Sequence, residues 1–271
     1  MLICQITDTH LKAGRKLAYG IVDTASLLER CVESVMNLKQ LPDVVLLTGD
    51  LVDYGRDDEY ALLANVLKPL TMPTYLIPGN HDDREALRRA FPEHAYLRQW
   101  APFIQYALED YPLRIIALDT LIPGQGGGCL CDERLTWLDN KLREQPHTPT
   151  LVAMHHPPIR TGLGHMDRLG LKGADELEAV ISRHPQVERL VCGHLHRSIH
   201  VRFGGSIAST CPSSAHQIVL DLSEDGSDDF VLEPPGYQLH WWDGQRLITH
   251  TAVIGHFAGP YPFRDGGKLI D

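Results

Sequence analysis

Asp8 and His10 stand two residues apart just beyond a short apolar run, residues 1–6. On an extended strand, residues i and i+2 leave the same face, so a carboxylate and an imidazole project side by side. Four further stretches carry similar chemistry: Thr48-Gly49-Asp50, Pro78-Gly79-Asn80-His81-Asp82, His155-His156-Pro157-Pro158 and Cys192-Gly193-His194-Leu195-His196. Most follow hydrophobic runs that read as strands. Taken singly, each polar residue has a duller reading. Asp8 or Asp50 serves as a turn or cap residue, Asn80 as the left-handed member of a Gly-Asn turn, and His194 as a hydrogen-bonded core histidine. Their recurrence in one order at successive strand ends points instead to a shared metal site. Gly49, Gly79 and Gly193 fit, since each lets the chain turn sharply ahead of a polar side chain.

The donors are carboxylates, an amide oxygen and imidazoles, with no thiolate among them. That set suits Mn, Fe, Co or Zn over copper(I) or an iron–sulfur cluster. The seven candidate metal ligands are Asp8, His10, Asp50, Asn80, His155, His194 and His196. They exceed what one tetrahedral ion needs. Two ions about 3.5 Å apart, bridged by one carboxylate, use them all.

Such a site needs strands to deliver it and helices to cover them. The spacing predicts strands at 1–6, 43–47, 74–77, 150–154 and 187–192, ending before the chemical residues. Helices are expected over 24–39, 57–67, 83–89, 132–142 and 175–183, with Asp23 or Thr24 capping the first and Asp132 the fourth. A hairpin is expected from 104–109 and 113–119, turning at 110–112. Residues 11–20, which include Tyr19, and the glycine-rich 124–128 read as loops. The latter has neither the leading strand nor the GK[ST] ending of a phosphate-binding loop. Strands alternating with helices indicate an α/β layered architecture. After residue 200 the pattern changes to short β segments at 198–203, 215–222, 238–242 and 247–251, with 223–236 exposed.

The 271 residues suffice for one large domain, or for a main domain with a small appendage. The formal net charge of −10 argues against a general nucleic-acid binder, which shows a basic face. Cys129 and Cys131, one residue apart, form neither a CxxC redox motif nor a zinc knuckle. Reduced, mostly buried thiols in a cytoplasmic protein are expected, a disulfide at Cys129 or Cys131 being the alternative. No apolar run is long enough to read as a signal peptide or a membrane span.

Together the motifs resemble those of the calcineurin-like metallophosphoesterase superfamily: Asp8-Thr9-His10, Gly49-Asp50, Gly79-Asn80-His81-Asp82, His155-His156 and Gly193-His194-Leu195-His196. Asn80-His81-Asp82-Asp83, His155-His156-Pro157-Pro158 and the overall spacing are most similar to bacterial glycerophosphodiesterases and class III cyclic-nucleotide phosphodiesterases. The resemblance implies a four-layer α/β/β/α sandwich of two mixed sheets flanked by helices. It places a catalytic core over 1–200 and, over 201–271, strands completing the second sheet plus a small β cap or dimerisation segment.

Carried over, Asp8, His10 and His196 hold a first ion, Asp50 bridges, and Asn80, His155 and His194 hold a second. His81 is the catalytic residue, contacting the phosphate or assisting the leaving group together with Asn80. Asp82 orients a histidine, and His156 is left open between packing and a pocket role. Tyr19 and His216 match positions near the substrate.

The expected function is hydrolysis of small phosphodiesters, glycerophosphodiesters or cyclic nucleotides, by attack of a metal-bound hydroxide. The alternatives are a phosphomonoesterase or a nucleotide or lipid pyrophosphatase of the same superfamily, or a non-catalytic scaffold. A homo-oligomer, dimeric or dimer-based, is expected, with one of Trp241 and Trp242 in a core and the other at an interface. Tyr54 stands where some relatives carry a cysteine, so their inter-segment disulfide is not expected. No partner of the nucleic-acid polymer or membrane class is expected.

Overall fold

The structure is a computed structural model and describes residues 1–223 and 225–270. Five strands form the first sheet, in the order Leu247–Val253, Gly236–Trp242, Leu2–Ile6, Val44–Thr48, Thr74–Ile77. The last three run parallel, and Gly236–Trp242 lies antiparallel beside Leu2–Ile6. The second sheet has six strands, in the order Ile199–Phe203, Ser206–Thr210, Val187–Cys192, Thr150–Ala153, Arg114–Ala117, Tyr106–Leu108. Both are mixed sheets, as the resemblance implied.

Side-chain alternation along the second sheet decides the layering. Ile115, Ala117, Leu151, Ala153 and Val191 join the core shared with the first sheet. Their neighbours Ile116, Val152 and Leu190 turn the other way, against Leu135, Leu138 and Leu142 of one helix and Leu177, Val180 and Ile181 of another. A strand sends successive side chains to opposite faces, so each strand serves one inter-sheet layer and one helix layer. On the far side, helices Thr24–Met36 and Asp57–Leu67 bury Leu28, Val32, Val35, Tyr60 and Leu63 against the first sheet.

Local chemistry fixes the helix starts. Asp23 accepts a hydrogen bond from the Ser26 amide at 3.0 Å, and Asp83 accepts one from Ala86 at 2.7 Å. The helix Asp132–Glu144 starts at the expected residue, but Cys131 holds the cap position and Asp132 lies in the first turn. The first helix ends at Met36, short of residue 39.

The chain after residue 200 contributes to both sheets. Ser206–Thr210 extends the second, whereas Gly236–Trp242 and Leu247–Val253 complete the first. The remaining pieces are small: a pairing of Gln217–Ile218 with Phe230–Val231, and a terminal pairing of Arg264–Asp265 with Lys268–Leu269. The glycine-rich loop ends in a short strand, Gly128–Cys129, paired with Leu171–Lys172, which the sequence did not signal. All six cysteines are free thiols, four of them buried. No helix among the described residues is long and apolar enough to cross a membrane.

Candidate metal centre

Five strands of the two sheets end at one place, and the residues that follow them converge there. Leu2–Ile6 supplies Asp8 and His10, Val44–Thr48 supplies Asp50, and Thr74–Ile77 supplies Asn80 and His81. Thr150–Ala153 supplies His155, and Val187–Cys192 supplies His194 and His196.

The backbone bends abruptly to do this. Asp8, His10, Asp50, His194 and His196 all have φ between 44° and 71°, the left-handed region that non-glycine residues enter rarely. Each such residue costs of order 1 kcal/mol and persists only where its surroundings over-determine it, most often at functional sites. Of the three glycines, only Gly49 has a positive φ, 94°. Gly79 and Gly193 answer to crowding instead. A Cβ on Gly79 would strike the Asp50 backbone and carboxylate, and one on Gly193 the Thr7 hydroxyl and the Thr48 carbonyl.

The seven side chains form two groups joined by one carboxylate. In the first, His10 Nε2 and His196 Nε2 face each other at 3.2 Å, with Asp8 Oδ1 3.4 Å from His196 Nε2. In the second, Asn80 Oδ1 lies 3.1 Å from His155 Nε2, and the His194 ring is edge-on to the His155 ring at 5.1 Å. Asp50 Oδ2 reaches both, 3.7 Å from His10 Nε2 and 3.4 Å from His155 Nε2. Its other oxygen accepts the His81 amide at 2.9 Å.

Backbone carbonyls set the tautomers. His155 Nδ1 donates to the Thr48 carbonyl at 2.8 Å, and His196 Nδ1 to that of His216 at 2.8 Å. Each leaves its Nε2 lone pair turned into the site, the arrangement by which proteins present imidazole to a metal. His10 Nε2 faces the His196 Nε2 lone pair at 3.2 Å, and its own Nδ1 is buried with no hydrogen-bond partner. His194 Nε2 is likewise buried with no partner. Nitrogen and oxygen donors converging with unspent lone pairs fit divalent cations of the Mn, Fe, Co or Zn type.

The charges point the same way. Burial pushes the Asp8 carboxyl up, but the neighbouring His196 more than offsets this and holds it at about 2. Burial likewise works against the Asp50 carboxylate, and His155 and His81 outweigh it, leaving its pKa well below the usual range. His194, desolvated and beside His155, falls to about 3 and stays neutral. The site therefore offers ionised carboxylates and, at His194, a neutral imidazole. His155, buried but facing the Asp50 and Asp8 carboxylates, is raised to about 9, so a cation taken up there displaces its proton.

His81 lies at the rim, its ring edge-on to His10 at 4.7 Å, with Nδ1 2.9 Å from the Asp53 carbonyl. Tyr19 and His216 meet at the mouth on the His10 side. Their rings are 5.2 Å apart, and His216 lies 4.6 Å from His196. Phe230 packs 4.8 Å from Tyr19. His156 is buried, with Nδ1 2.7 Å from the Thr120 hydroxyl and Nε2 3.2 Å from the Gly126 carbonyl, its ring 4.6 Å from His194. It braces the second group from behind.

Asp82 does not orient a histidine. Its carboxylate accepts hydrogen bonds from the Leu51 and Gly79 amides and the Tyr60 hydroxyl, at 3.1, 2.8 and 2.9 Å, and so ties two ligand-bearing turns together. The carboxylate beside the histidines is Asp53, which the sequence reading passed over. Its Oδ1 is 3.6 Å from His10 Nδ1 and 3.9 Å from His81 Nδ1, and its Oδ2 takes Lys12 Nζ at 2.5 Å. The available signal was its place three residues after Asp50, in the same strand-end turn.

The calcineurin-like phosphoesterase model matches residues 1–198, the span that carries every strand end of this centre. The chain belongs to that family. It is 43% identical over 274 residues to a probable glycerophosphodiester phosphodiesterase of Arcobacter nitrofigilis, covering all of both chains. It is 31% identical over 257 residues to a 3',5'-cyclic adenosine monophosphate phosphodiesterase of Pseudomonas aeruginosa, covering 94% of this chain and 90% of that one. Among solved structures, a dimetal phosphatase from Danio rerio superposes with a TM-score of 0.68. It covers 94% of this chain and 98% of its own at 14% identity, a likeness of fold. The family makes this chain a phosphoric ester hydrolase, and its hydrolases use divalent metal ions.

Proposed function

We propose that this phosphoesterase hydrolyses small phosphodiesters with two divalent cations. Asp8, His10 and His196 hold one, Asn80, His155 and His194 the other, and Asp50 bridges. The observation that carries the reading is the position of Asp50 Oδ2 between the two imidazole groups, within 3.7 Å of each. When bound, the cations supply a nucleophile from water at neutral pH and neutralise charge on the phosphate.

The chain's own residues do the rest. Asp8 and Asp50 remain ionised and hold the cationic site together. The carbonyls of Thr48 and His216 keep His155 and His196 in the tautomer that presents Nε2. His81, partly exposed and raised in pKa because the Asp50 charge outweighs its burial, stands where it can donate a proton or hydrogen bond to the departing alcohol. Asn80 shares its side of the site and directs its amide at the same phosphate. Tyr19 and His216 contact the alcohol portion of the substrate. Glycerophosphodiesters or cyclic nucleotides are the substrate class, a reading supported by the phosphodiesterases to which the chain is 43% and 31% identical.

A homo-oligomer accompanies this reading. Trp242 is buried, whereas its neighbour Trp241 is 46% exposed on a strand next to the sheet edge, a site that a second copy covers. Light scattering reports it directly.

The test of function is kcat/KM of manganese-reconstituted protein for bis(p-nitrophenyl) phosphate against p-nitrophenyl phosphate. A clear preference for the diester is expected. A preference for the monoester moves the chain to the phosphatase reading, and no turnover of either overturns the assignment of substrate class.

A further inference from the structure

Away from the metal centre, a cavity of about 820 Å³ opens between the glycine-rich loop and the segment 158–175. None of the seven candidate metal ligands lines it. The wall between cavity and centre is the loop itself with His156, whose Nε2 bonds the Gly126 carbonyl at 3.2 Å. A side chain on Gly128 would strike the His156 ring, so the loop lies directly against that histidine.

The cavity differs in charge from the rest of the protein. Three cations line it, Arg160, Arg168 and Lys172, and none has a salt-bridge partner among the described residues. Two acids line it as well. Asp167 is spent, accepting hydrogen bonds from the Thr161 amide and hydroxyl and the Gly162 amide at 2.8 to 2.9 Å. Asp175 lies in the first turn of the helix Ala174–Ile181. That helix carries glycine at its cap position and no side-chain cap, so its first amides are unspent beside Ala174 and Asp175 in the wall. The amides of Gly126 and Gly127 donate to no other backbone group among the described residues. Cations, a helix N-terminus and loop glycines thus line one volume of the size that small ligands occupy.

In a chain of net charge −10, this cavity carries three exposed cations against two acids, a locally positive lining. We propose that this cavity is a second anion site, separate from the metal centre, that binds a phosphate dianion, free or as a phosphomonoester. It does not rest on the diester reading, since the cavity would hold phosphate whatever the centre hydrolyses.

Calorimetric titration with inorganic phosphate tests it, with glycerol 3-phosphate as a parallel arm to separate free phosphate from a phosphomonoester. Three metal-reconstituted proteins are compared: the natural chain, Asp50→Asn, which disables the centre, and Arg160→Gln/Arg168→Gln/Lys172→Gln. A binding event that survives Asp50→Asn and weakens roughly tenfold or more in the triple variant is expected. The single Arg168→Gln, weakened roughly twofold to fivefold, serves if the triple variant melts early. The proposal is overturned if Asp50→Asn abolishes all phosphate binding, or if neither cation variant weakens what remains.

Discussion

The two halves of the metal centre are built from similar histidines but in different electrostatic company. On the His10 side, Asp8 stands alongside the shared Asp50, and Asp53 lies 3.6 Å behind His10. On the His155 side the oxygen donor is the neutral Asn80 amide, and the support behind it is His156, itself pressed far below its ordinary pKa by burial and by His194. Cation affinity follows the ligand charge it meets. The carboxylate-rich half should therefore hold its ion tightly and the Asn80 half loosely, which makes the second ion the exchangeable one and the one best placed to arrive with substrate.

The largest expected effect is the one that ignores the difference. Asp50→Ala removes the carboxylate that reaches both halves and should lower kcat/KM about a thousandfold, because each ion supplies several kcal/mol of charge stabilisation. Metal analysis should show both ions depleted. Retention of two tightly held ions would mean that the halves are independent.

Asn80→Ala addresses the weak half alone. Occupancy of the second ion and activity should fall together, activity by about a hundredfold, with the first ion still present after dialysis. Full turnover with one ion per chain would sink the two-cation reading. Asn80→Asp should do the reverse for affinity, since an added charge equalises the halves.

His81→Ala separates chemistry from binding. Metal content should hold while kcat falls about a hundredfold, the scale of one general-acid contribution. Loss of metal instead would move His81 into the ligand set, a role its partly exposed place at the rim argues against.

Much of the architecture behind this asymmetry is legible along the chain. The apolar runs ending at Ile6, Thr48, Ile77, Ala153 and Cys192 are buried strands, and each polar cluster after them lies at a strand end. That legibility has a local cause: a strand, its glycine and its ligand are contiguous. What depends on contacts between distant segments is not legible. Asp82 looks from its neighbours like a partner for a histidine, yet its oxygens are claimed by Leu51, Gly79 and Tyr60, which only folding brings near. Placing the C-terminal strands fails for the same reason. The run ending in Trp242 has no sequence mark saying that it pairs with Leu2–Ile6 rather than extending the other sheet. The His156 brace depends on Thr120 and Gly126, thirty or more residues away.

Asp53 gives the smallest effect and the sharpest comparison. It lies outside the proposed ligand set; it faces His10 Nδ1, whose other nitrogen points into the centre, and it is pinned by Lys12. Burial raises its carboxyl, while the bonds to His10 and Lys12 bring it down to about 2, so it is ionised throughout the working range. An ionised partner behind an imidazole raises the basicity of the nitrogen in front and fixes the ring. Asp53→Asn keeps the shape and removes the charge, so the first ion alone should bind about tenfold more weakly. Chelator competition would show the two ions leaving at more nearly equal concentrations than in the natural chain. If their affinities stay as far apart as before, the asymmetry comes from Asp8 and Asn80 alone, and the carboxylate behind His10 only anchors Lys12.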